Sequence, residues 1–180
     1  MKRLAVRFGL GFAAWMGLFT LILQSSTVND RLVVPFTRLV AYVSHRVLGP
    51  LGMETSVSGT LIVGVEGFAV NVLDGCNGVL VSSILVAAVL AFPSSWREKA
   101  LGLALGIGVI QALNLARVVS LYYLGLRHPA LFETFHLYVW QTVIVILSMA
   151  AWMFWAEMIV RPVPAVPRPA PARRPNPARG

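Results

Sequence analysis

The sequence is poor in charged residues and in the residues that build metal sites. Of its 180 residues only 12% are charged and 57% are hydrophobic, whereas about a quarter of a soluble domain is charged. The single cysteine excludes an internal disulfide and a cysteine-rich zinc or iron–sulfur site. We expect no metal and no cofactor, and the composition places the chain in a lipid bilayer.

The net charge of +8 is not spread over a basic face. Lys and Arg gather at the two ends of the chain and in a short stretch near residue 97, which is unlike the basic stripe of a nucleic-acid-binding protein. Membrane lipid is therefore an expected partner, and nucleic acid is not.

Four apolar segments are long enough to cross a hydrocarbon core about 30 Å thick as helices. They cover residues 7–27, 76–92, 100–124 and 136–160. The first resembles a secretory signal, but its end lacks an Ala-x-Ala-like cleavage site, which favours a retained anchor. The predicted fold is an all-α polytopic membrane protein.

The cations predict how the four spans are oriented. Short flanks that are rich in Lys and Arg stay in the cytoplasm. In a four-span arrangement ten Lys and Arg residues lie on one side of the membrane, and this side is predicted to be cytoplasmic and to hold both termini. These residues are Lys2, Arg3, Arg7, Arg97, Lys99, Arg161, Arg168, Arg173, Arg174 and Arg179. The outer side then receives residues 28–75 and 125–135.

The outer segment is predicted to have structure of its own. Residues 31–48 place apolar side chains at helical spacing opposite Arg and Ser, which indicates an amphipathic helix along the membrane surface. Residues 57–73 are rich in Val, Ile and Gly and predict a two-stranded β-hairpin. We therefore expect one membrane-embedded domain over residues 1–160, followed by a disordered Pro/Arg-rich cytoplasmic tail at 161–180.

Cys76 stands where the second predicted span begins, in the run Asp-Gly-Cys-Asn-Gly at 74–78. We expect it in the first turn of the helix, where unpaired N–H groups and the macrodipole lower a thiol pKa and favour the nucleophilic thiolate. The alternative is a small buried hydrophobic residue.

Arg117 lies inside the third predicted span. A central arginine costs about 2.5–3.5 kcal/mol, so it is expected to face a protein interior or a wet cavity and to have an anionic partner. Asn114, one turn earlier, would orient the guanidinium or pack against another helix. The alternative is a structural arginine that reaches the lipid headgroups.

His136 opens the fourth predicted span, at the same outer level as Cys76. An imidazole is the usual base for a cysteine nucleophile, and the alternative is an interfacial histidine. His128 ranks second as the base, and His45 belongs to the amphipathic helix. Ser82 and Ser83 lack a Gly-x-Ser-x-Gly context and are interpreted as helix-packing hydroxyls, and Gly102 and Gly106 as close-packing positions.

Three short motifs carry a resemblance to a known family: Gly-Cys-Asn-Gly-Val at 75–79, Asn-Leu-Ala-Arg at 114–117, and His136. In their order, spacing and common outer placement the chain resembles the exosortase/archaeosortase family of membrane-embedded sorting enzymes over residues 57–160. The family's usual motif has Ser in place of Asn77. The small size is similar to a compact exosortase H type, associated with proteins that end in an IPTLxxWG-like motif, a hydrophobic helix and a basic tail.

The resemblance implies an exosortase-like cysteine protease or transpeptidase of the bacterial inner membrane, with Cys76 as nucleophile, Arg117 as an essential cation and His136 as the third catalytic residue. It would cleave the C-terminal sorting signal of exported proteins on the periplasmic or exterior side and transfer them to an acceptor that stays open. Two non-enzymatic alternatives also stay open: a membrane scaffold with a structural Arg117, and a transporter subunit in which Arg117 binds an anion.

Overall fold

The structure is a computed structural model that describes residues 2–65, 67–73 and 75–160. The predicted proline-rich tail at 161–180 lies outside the described residues. The elements in chain order are α1 (Lys2–Leu23), α2 (Ser26–Val28), α3 (Val34–Leu48), β1 (Thr55–Ser58), β2 (Leu61–Gly64), β3 (Ala69–Asn71), α4 (Val79–Ala91), α5 (Trp96–Arg127), α6 (Pro129–Thr134) and α7 (Trp140–Ile159).

The described ranges contain three helical stretches that are long and apolar enough to cross a membrane, which are Arg3–Leu23, Trp96–Arg127 and Pro129–Ile159. The count of four spans is not confirmed. The second predicted span is the apolar helix α4, whose 13 residues give a length of about 20 Å. The chain is thus a mostly helical membrane protein with a helix, α4, that is shorter than a full span.

Helix α1 begins and ends earlier than the predicted span at 7–27. It ends at Leu23 because the backbone of Ser25 is extended, with ψ at 122°. The chain then enters a second helical stretch, in which a π-helical turn at Asn29–Val33 joins α2 to α3. Helix α1 and the helical stretch that contains α3 are therefore separated by a short break at Ser25.

The helices α1, α4, α5 and α7 pack side by side and run in alternating directions. Phe8 near the start of α1 contacts Phe92 at the end of α4, with the ring centroids 6.3 Å apart. The indole Nε1 of Trp155 near the end of α7 donates to the carbonyl of Glu98 near the start of α5, at 2.9 Å. These contacts bring the start of α1, the α4–α5 turn and the end of α7 to one end of the bundle.

The turn between α4 and α5 is fixed by capping. Ser95 and Glu98 form a capping box, in which each side chain accepts from the other's backbone N–H. Lys99 reaches back and donates from Nζ to the carbonyl of Leu90 at 2.6 Å. These bonds satisfy backbone groups that the two helix ends would otherwise leave unpaired.

Small residues allow the close packing of α5 that the sequence predicts. A Cβ added at Gly102 would collide with the indole ring of Trp155, and one added at Gly106 would collide with the side chain of Leu85. The interpretation of both glycines as packing positions is confirmed. Around them lies an apolar cluster of buried residues from three helices: Leu85, Val89, Ile110, Trp155 and Ala156.

Helix α3 covers the other end of the bundle. Its buried face is lined by small or polar residues together with one leucine, namely Thr37, Ala41, Ser44 and Leu48. The exposed side carries both apolar side chains and cations, namely Leu39, Val43, Val47, Arg38 and Arg46. The apolar residues that the sequence places at helical spacing are thus not the residues that α3 buries on the bundle.

The segment after α3 is a three-stranded antiparallel sheet in the order β1-β2-β3, where the sequence predicts a two-stranded hairpin. The additional strand arises because Gly59, with φ at +64°, makes a tight turn that pairs Ser58 with Leu61. The sheet packs on α3 and α5, with Phe68 edge-on to Tyr122 at a centroid distance of 5.6 Å.

The last helical stretch begins at Pro129, seven residues before the predicted start of the fourth span. Helix α5 extends to Arg127, and only His128 separates it from α6, so the predicted outer loop at 125–135 is largely helical. Proline is favoured at the first position of a helix, and it keeps the preceding residue out of helical geometry. A π-helical turn, Phe135–Val139, then joins α6 to α7.

Candidate active site

Cys76 lies in a short non-helical segment, residues 75–78, that leads into α4. Gly75 and Gly78 have φ values of +90° and +75°, which side-chain-bearing residues rarely adopt. The helix therefore begins at Val79, and Cys76 precedes its first turn. The prediction that Cys76 occupies that turn is wrong, because two left-handed glycines keep the segment out of the helix.

Asn77 holds this segment in place. It is buried, its Oδ1 accepts from the N–H of Val79 at 3.0 Å, and its Nδ2 donates to Oγ1 of Thr37 on α3 at 2.9 Å. Thr37 in turn donates to the carbonyl of Val33 at 2.8 Å. Asn77 thus joins the segment that precedes α4 to α3.

His136 lies in the π-helical turn, with Nε2 at 3.1 Å from Sγ of Cys76. A π turn inserts one extra residue into a helix and frequently occurs at functional sites. The imidazole also packs against Phe132, with a centroid distance of 5.6 Å. Cys76 and His136 are both half-buried, so each side chain keeps part of its surface accessible.

Arg117 is 5% exposed and joins the two segments that carry this pair. Its Nη1 donates to the carbonyl of Gly75 and its Nη2 to the carbonyl of His136, each at 3.3 Å. These partners are main-chain carbonyls, whereas the sequence predicts an anionic partner. The third nitrogen, Nε, is buried and has no hydrogen-bond partner.

The pKa of the Cys76 thiol is shifted in the direction opposite to the one that the sequence predicts. Burial raises the pKa of the Cys76 thiol, and the nearby positive charge of Arg117 acts in the opposite direction. Burial has the larger effect because the charged thiolate loses its hydration. A thiol with a raised pKa is mostly protonated at neutral pH, so it needs a base to become a nucleophile.

The other residues that the sequence analysis considered as base or nucleophile lie away from Cys76. The Nδ1 atom of His45 is 2.7 Å from Oγ1 of Thr55, which ties α3 to β1. His128 is exposed at the α5–α6 junction. Ser83 donates to the carbonyl of Leu80 within its own helix. Neither of these two contacts involves Cys76.

Two supporting residues escaped the sequence analysis. Thr37 was not singled out, although a polar residue at a buried helix position calls for a hydrogen-bond partner. Asn114 was considered only as a neighbour of Arg117, yet it is 1% exposed and neither of its amide atoms has a partner. Within the described residues no group of three or more His, Cys, Asp or Glu is placed to hold a metal ion.

The geometry joins a thiol to an imidazole and places a buried guanidinium beside both. A thiol with a base in hydrogen-bond reach, oriented by a third group, is the arrangement of a cysteine nucleophile. A comparison with known families finds a match to the family described as transmembrane exosortase, over residues 4–156. No match was found among curated proteins or among solved structures.

Proposed function

Since the chain belongs to the transmembrane exosortase family, we propose that it is a cysteine peptidase or transpeptidase that cleaves C-terminal sorting signals of exported proteins at the outer face of the membrane. The observation that carries this proposal is the distance of 3.1 Å between Sγ of Cys76 and Nε2 of His136. The family supports the substrate class, and the pair supports the chemistry.

The proposed reaction begins with transfer of the Cys76 proton to Nε2 of His136. The sulfur attacks the scissile carbonyl, whose electron pair moves to oxygen, and collapse of the intermediate breaks the C–N bond. His136 gives the proton to the leaving amine, so the atoms balance and a thioester remains on Cys76. Water or an amine acceptor then releases the substrate.

Arg117 supports this reaction in two ways. Because it donates to the carbonyls of Gly75 and His136, it holds the nucleophile segment against the base segment, and orientation of this kind lowers the barrier. Its charge also favours the thiolate over the thiol. The first effect depends on the two-point donation by the guanidinium, which a lysine does not reproduce, whereas a lysine keeps the charge.

The ends of the bundle support the placement of the site on the outside. The start of α1, the α4–α5 turn and the end of α7 lie together, and the first two carry Arg3, Arg7, Arg97 and Lys99. By the positive-inside rule this end faces the cytoplasm, together with both termini. Cys76 precedes α4, which runs towards this end, so we infer that Cys76 lies at the periplasmic end in the inner membrane of a bacterium.

Two further features complete the membrane placement. Helix α4 is shorter than a span, but α1, α5 and α7 surround it, so we place it as a fourth crossing whose ends are covered by protein. Helix α3 exposes Leu39 and Val43 together with Arg38 and Arg46 on the side that does not pack on the bundle. An exposed side with both apolar and cationic side chains suits a helix that lies at the lipid surface.

The substrate that fits this orientation has three parts. A motif similar to IPTLxxWG would lie at the outer face, a short hydrophobic helix would cross the bilayer, and a basic tail would stay in the cytoplasm. The same rule that orients the enzyme thus brings the scissile bond to the level of Cys76.

The test uses an exported reporter that ends in such a three-part signal, co-expressed with the enzyme. Cys76→Ala is expected to abolish processing at an unchanged enzyme level, because no other group replaces the sulfur. Ser83→Ala is the matched control and is expected to process normally. The mass of the new reporter C-terminus locates the cut and shows whether an acceptor was added.

Normal processing by Cys76→Ala would overturn the proposal and favour a scaffold. A transporter subunit instead predicts an anion flux that is lost in Arg117→Leu and unchanged in Cys76→Ala.

A further inference from the structure

Asn114 is the buried polar residue of α5 that the mechanism above does not use. Its side chain is 1% exposed, and neither Nδ2 nor Oδ1 has a hydrogen-bond partner. Leaving a buried polar group unpaired is destabilising, because the group has lost its hydrogen bonds to water. The Nε atom of Arg117, one turn along the same helix, is unpaired and buried as well. Two adjacent side chains thus carry N–H groups that the fold does not use.

The register of α5 places Asn114 beside the Cys76 segment. One turn before it, Gln111 approaches Gly78, where an added Cβ would lie 2.9 Å from Nε2 of Gln111. One turn after it, Arg117 donates to the carbonyl of Gly75. Residues three apart are neighbours on a helix surface. Asn114 therefore lies opposite the stretch between Gly75 and Gly78, at the level of the nucleophile.

An unpaired donor beside a cysteine nucleophile has a specific chemical use. When sulfur attacks the carbonyl, negative charge develops on the carbonyl oxygen, and donors about 2.7–3.1 Å from that oxygen stabilise it. An amide group and a guanidinium N–H supply two such donors, and burial strengthens both because the local dielectric is low. Donors that have no partner within the protein are available to bind this oxygen.

We propose that Asn114 is a catalytic residue of the oxyanion site, whose Nδ2 donates to the scissile carbonyl oxygen together with Nε of Arg117. This inference rests on the proposed function. The Cys76–His136 pair transfers the proton, and Asn114 stabilises the negative charge that develops on the carbonyl oxygen. Nη1 and Nη2 of Arg117 are bonded to main-chain carbonyls, which fixes the guanidinium and leaves Nε for the substrate.

The test separates stabilisation of an oxyanion from activation of the thiol. Purified full-length enzyme is assayed for cleavage of the three-part reporter and, separately, for alkylation of Cys76 by iodoacetamide. Asn114→Leu is expected to lower kcat/KM for the reporter by about 10²–10³-fold, the usual loss for one oxyanion donor. Alkylation should stay within about threefold of the parent, since attack on a saturated carbon develops no oxyanion.

Two further variants guard against a folding artefact. Asn114→Ala removes the amide without adding bulk and is expected to show the same selective loss. Ser148→Ala is the matched control, because it removes another buried polar group that has no partner, on α7 and outside the site, and it should keep both activities.

Reporter cleavage by both Asn114 variants at the parental rate would overturn the inference. A parallel fall of alkylation and cleavage would also overturn it, because Asn114 would then act on the thiol or on the fold. Failure of the proposed function gives a different signature, in which Cys76→Ala itself still cleaves the reporter.

Discussion

The two ends of the helical bundle, called inner and outer after the proposed orientation, are held together in different ways. The inner end, defined by Phe8, Phe92, Trp152 and Trp155, is a cluster of edge-on and tilted aromatic rings with centroids 5.5–6.3 Å apart. The outer end, defined by residues 75–78 and the side chains around them, is held by hydrogen bonds from buried polar groups. Apolar packing tolerates changes that conserve volume, whereas a buried polar group requires its own partner.

This difference predicts which property a substitution alters. At the inner end a change should alter the free energy of unfolding and leave the chemistry of each folded molecule intact. At the outer end a change should alter the reaction more than the stability. Four predictions test this division, from the largest expected effect to the smallest.

The largest effect is expected for His136→Gln. Glutamine conserves polarity and approximate size but cannot take up the Cys76 proton, and loss of a general base costs about 10²–10⁴-fold in rate. Reporter cleavage by the purified protein measures this loss, and the thermal unfolding midpoint should not move. His128→Gln, at the exposed junction of α5 and α6, is the control, and equal rates for the two variants would contradict the division.

The next effect is expected for Arg117→Leu. Reporter cleavage should fall by about 10²-fold or more, because an electrostatic contact to the reacting groups is removed. The same variant has a pH signature. Burial raises the pKa of the Cys76 thiol and Arg117 lowers it, so removal of the charge raises the pKa further.

Since the thiolate is the reactive form, the rise of Cys76 alkylation with pH should move to higher pH in Arg117→Leu. The measurement is the iodoacetamide rate across a pH series. Arg127→Leu, at the exposed end of α5, should keep the parental profile. A profile in Arg117→Leu that is unchanged, or moved to lower pH, would refute the assigned electrostatic role.

An intermediate effect, on stability alone, is expected for Gly102→Ala at the inner end. The new methyl group would collide with the indole of Trp155, and overpacking of this kind costs about 1–3 kcal/mol. Gly108→Ala is the control because nothing lies within 4 Å of a Cβ there. Denaturant unfolding in detergent measures the difference, and a loss of cleavage per folded molecule would show that the two ends are coupled.

The smallest effect compares one hydrogen bond at each end. Thr37→Val removes the acceptor of Asn77 at the outer end, and Trp155→Phe removes the donor to Glu98 at the inner end. Each should cost about 1 kcal/mol of stability. Only Thr37→Val should also slow reporter cleavage, by roughly tenfold, since a displacement of 1 Å at the site costs up to about 10²-fold. Equal cleavage rates for Thr37→Val and Trp155→Phe would contradict the division between the two ends.

The sequence predicted the inner end better than the outer end. Hydropathy marks α5 and α7 as spans because their length and composition are enough to show them, and the small-residue spacing of Gly102 and Gly106 indicates close packing. Neither inference needs a partner residue to be known. Helix α4 begins at Val79, three residues after the predicted start at 76. The sequence did not predict this because hydropathy does not show that Gly75 and Gly78 adopt left-handed backbone angles.

The partners at the site could be only partly anticipated. Common placement at one end of the spans brings Cys76, Arg117 and His136 to a similar level. The carbonyls that Arg117 binds are 42 and 19 residues away in the chain, and main-chain acceptors have no sequence signature. The Asn77–Thr37 bond likewise depends on how α3 lies against α4, which local pattern does not show.

The most direct test of the central claim is to trap the thioester on Cys76. Enzyme and reporter are mixed, quenched in acid and examined by peptide mass analysis for a covalent complex that hydroxylamine releases. The account predicts a complex in which the new C-terminus of the reporter is joined to Sγ of Cys76, and none in Cys76→Ala. A complex on another residue, or reporter cleavage that continues in Cys76→Ala, would contradict it.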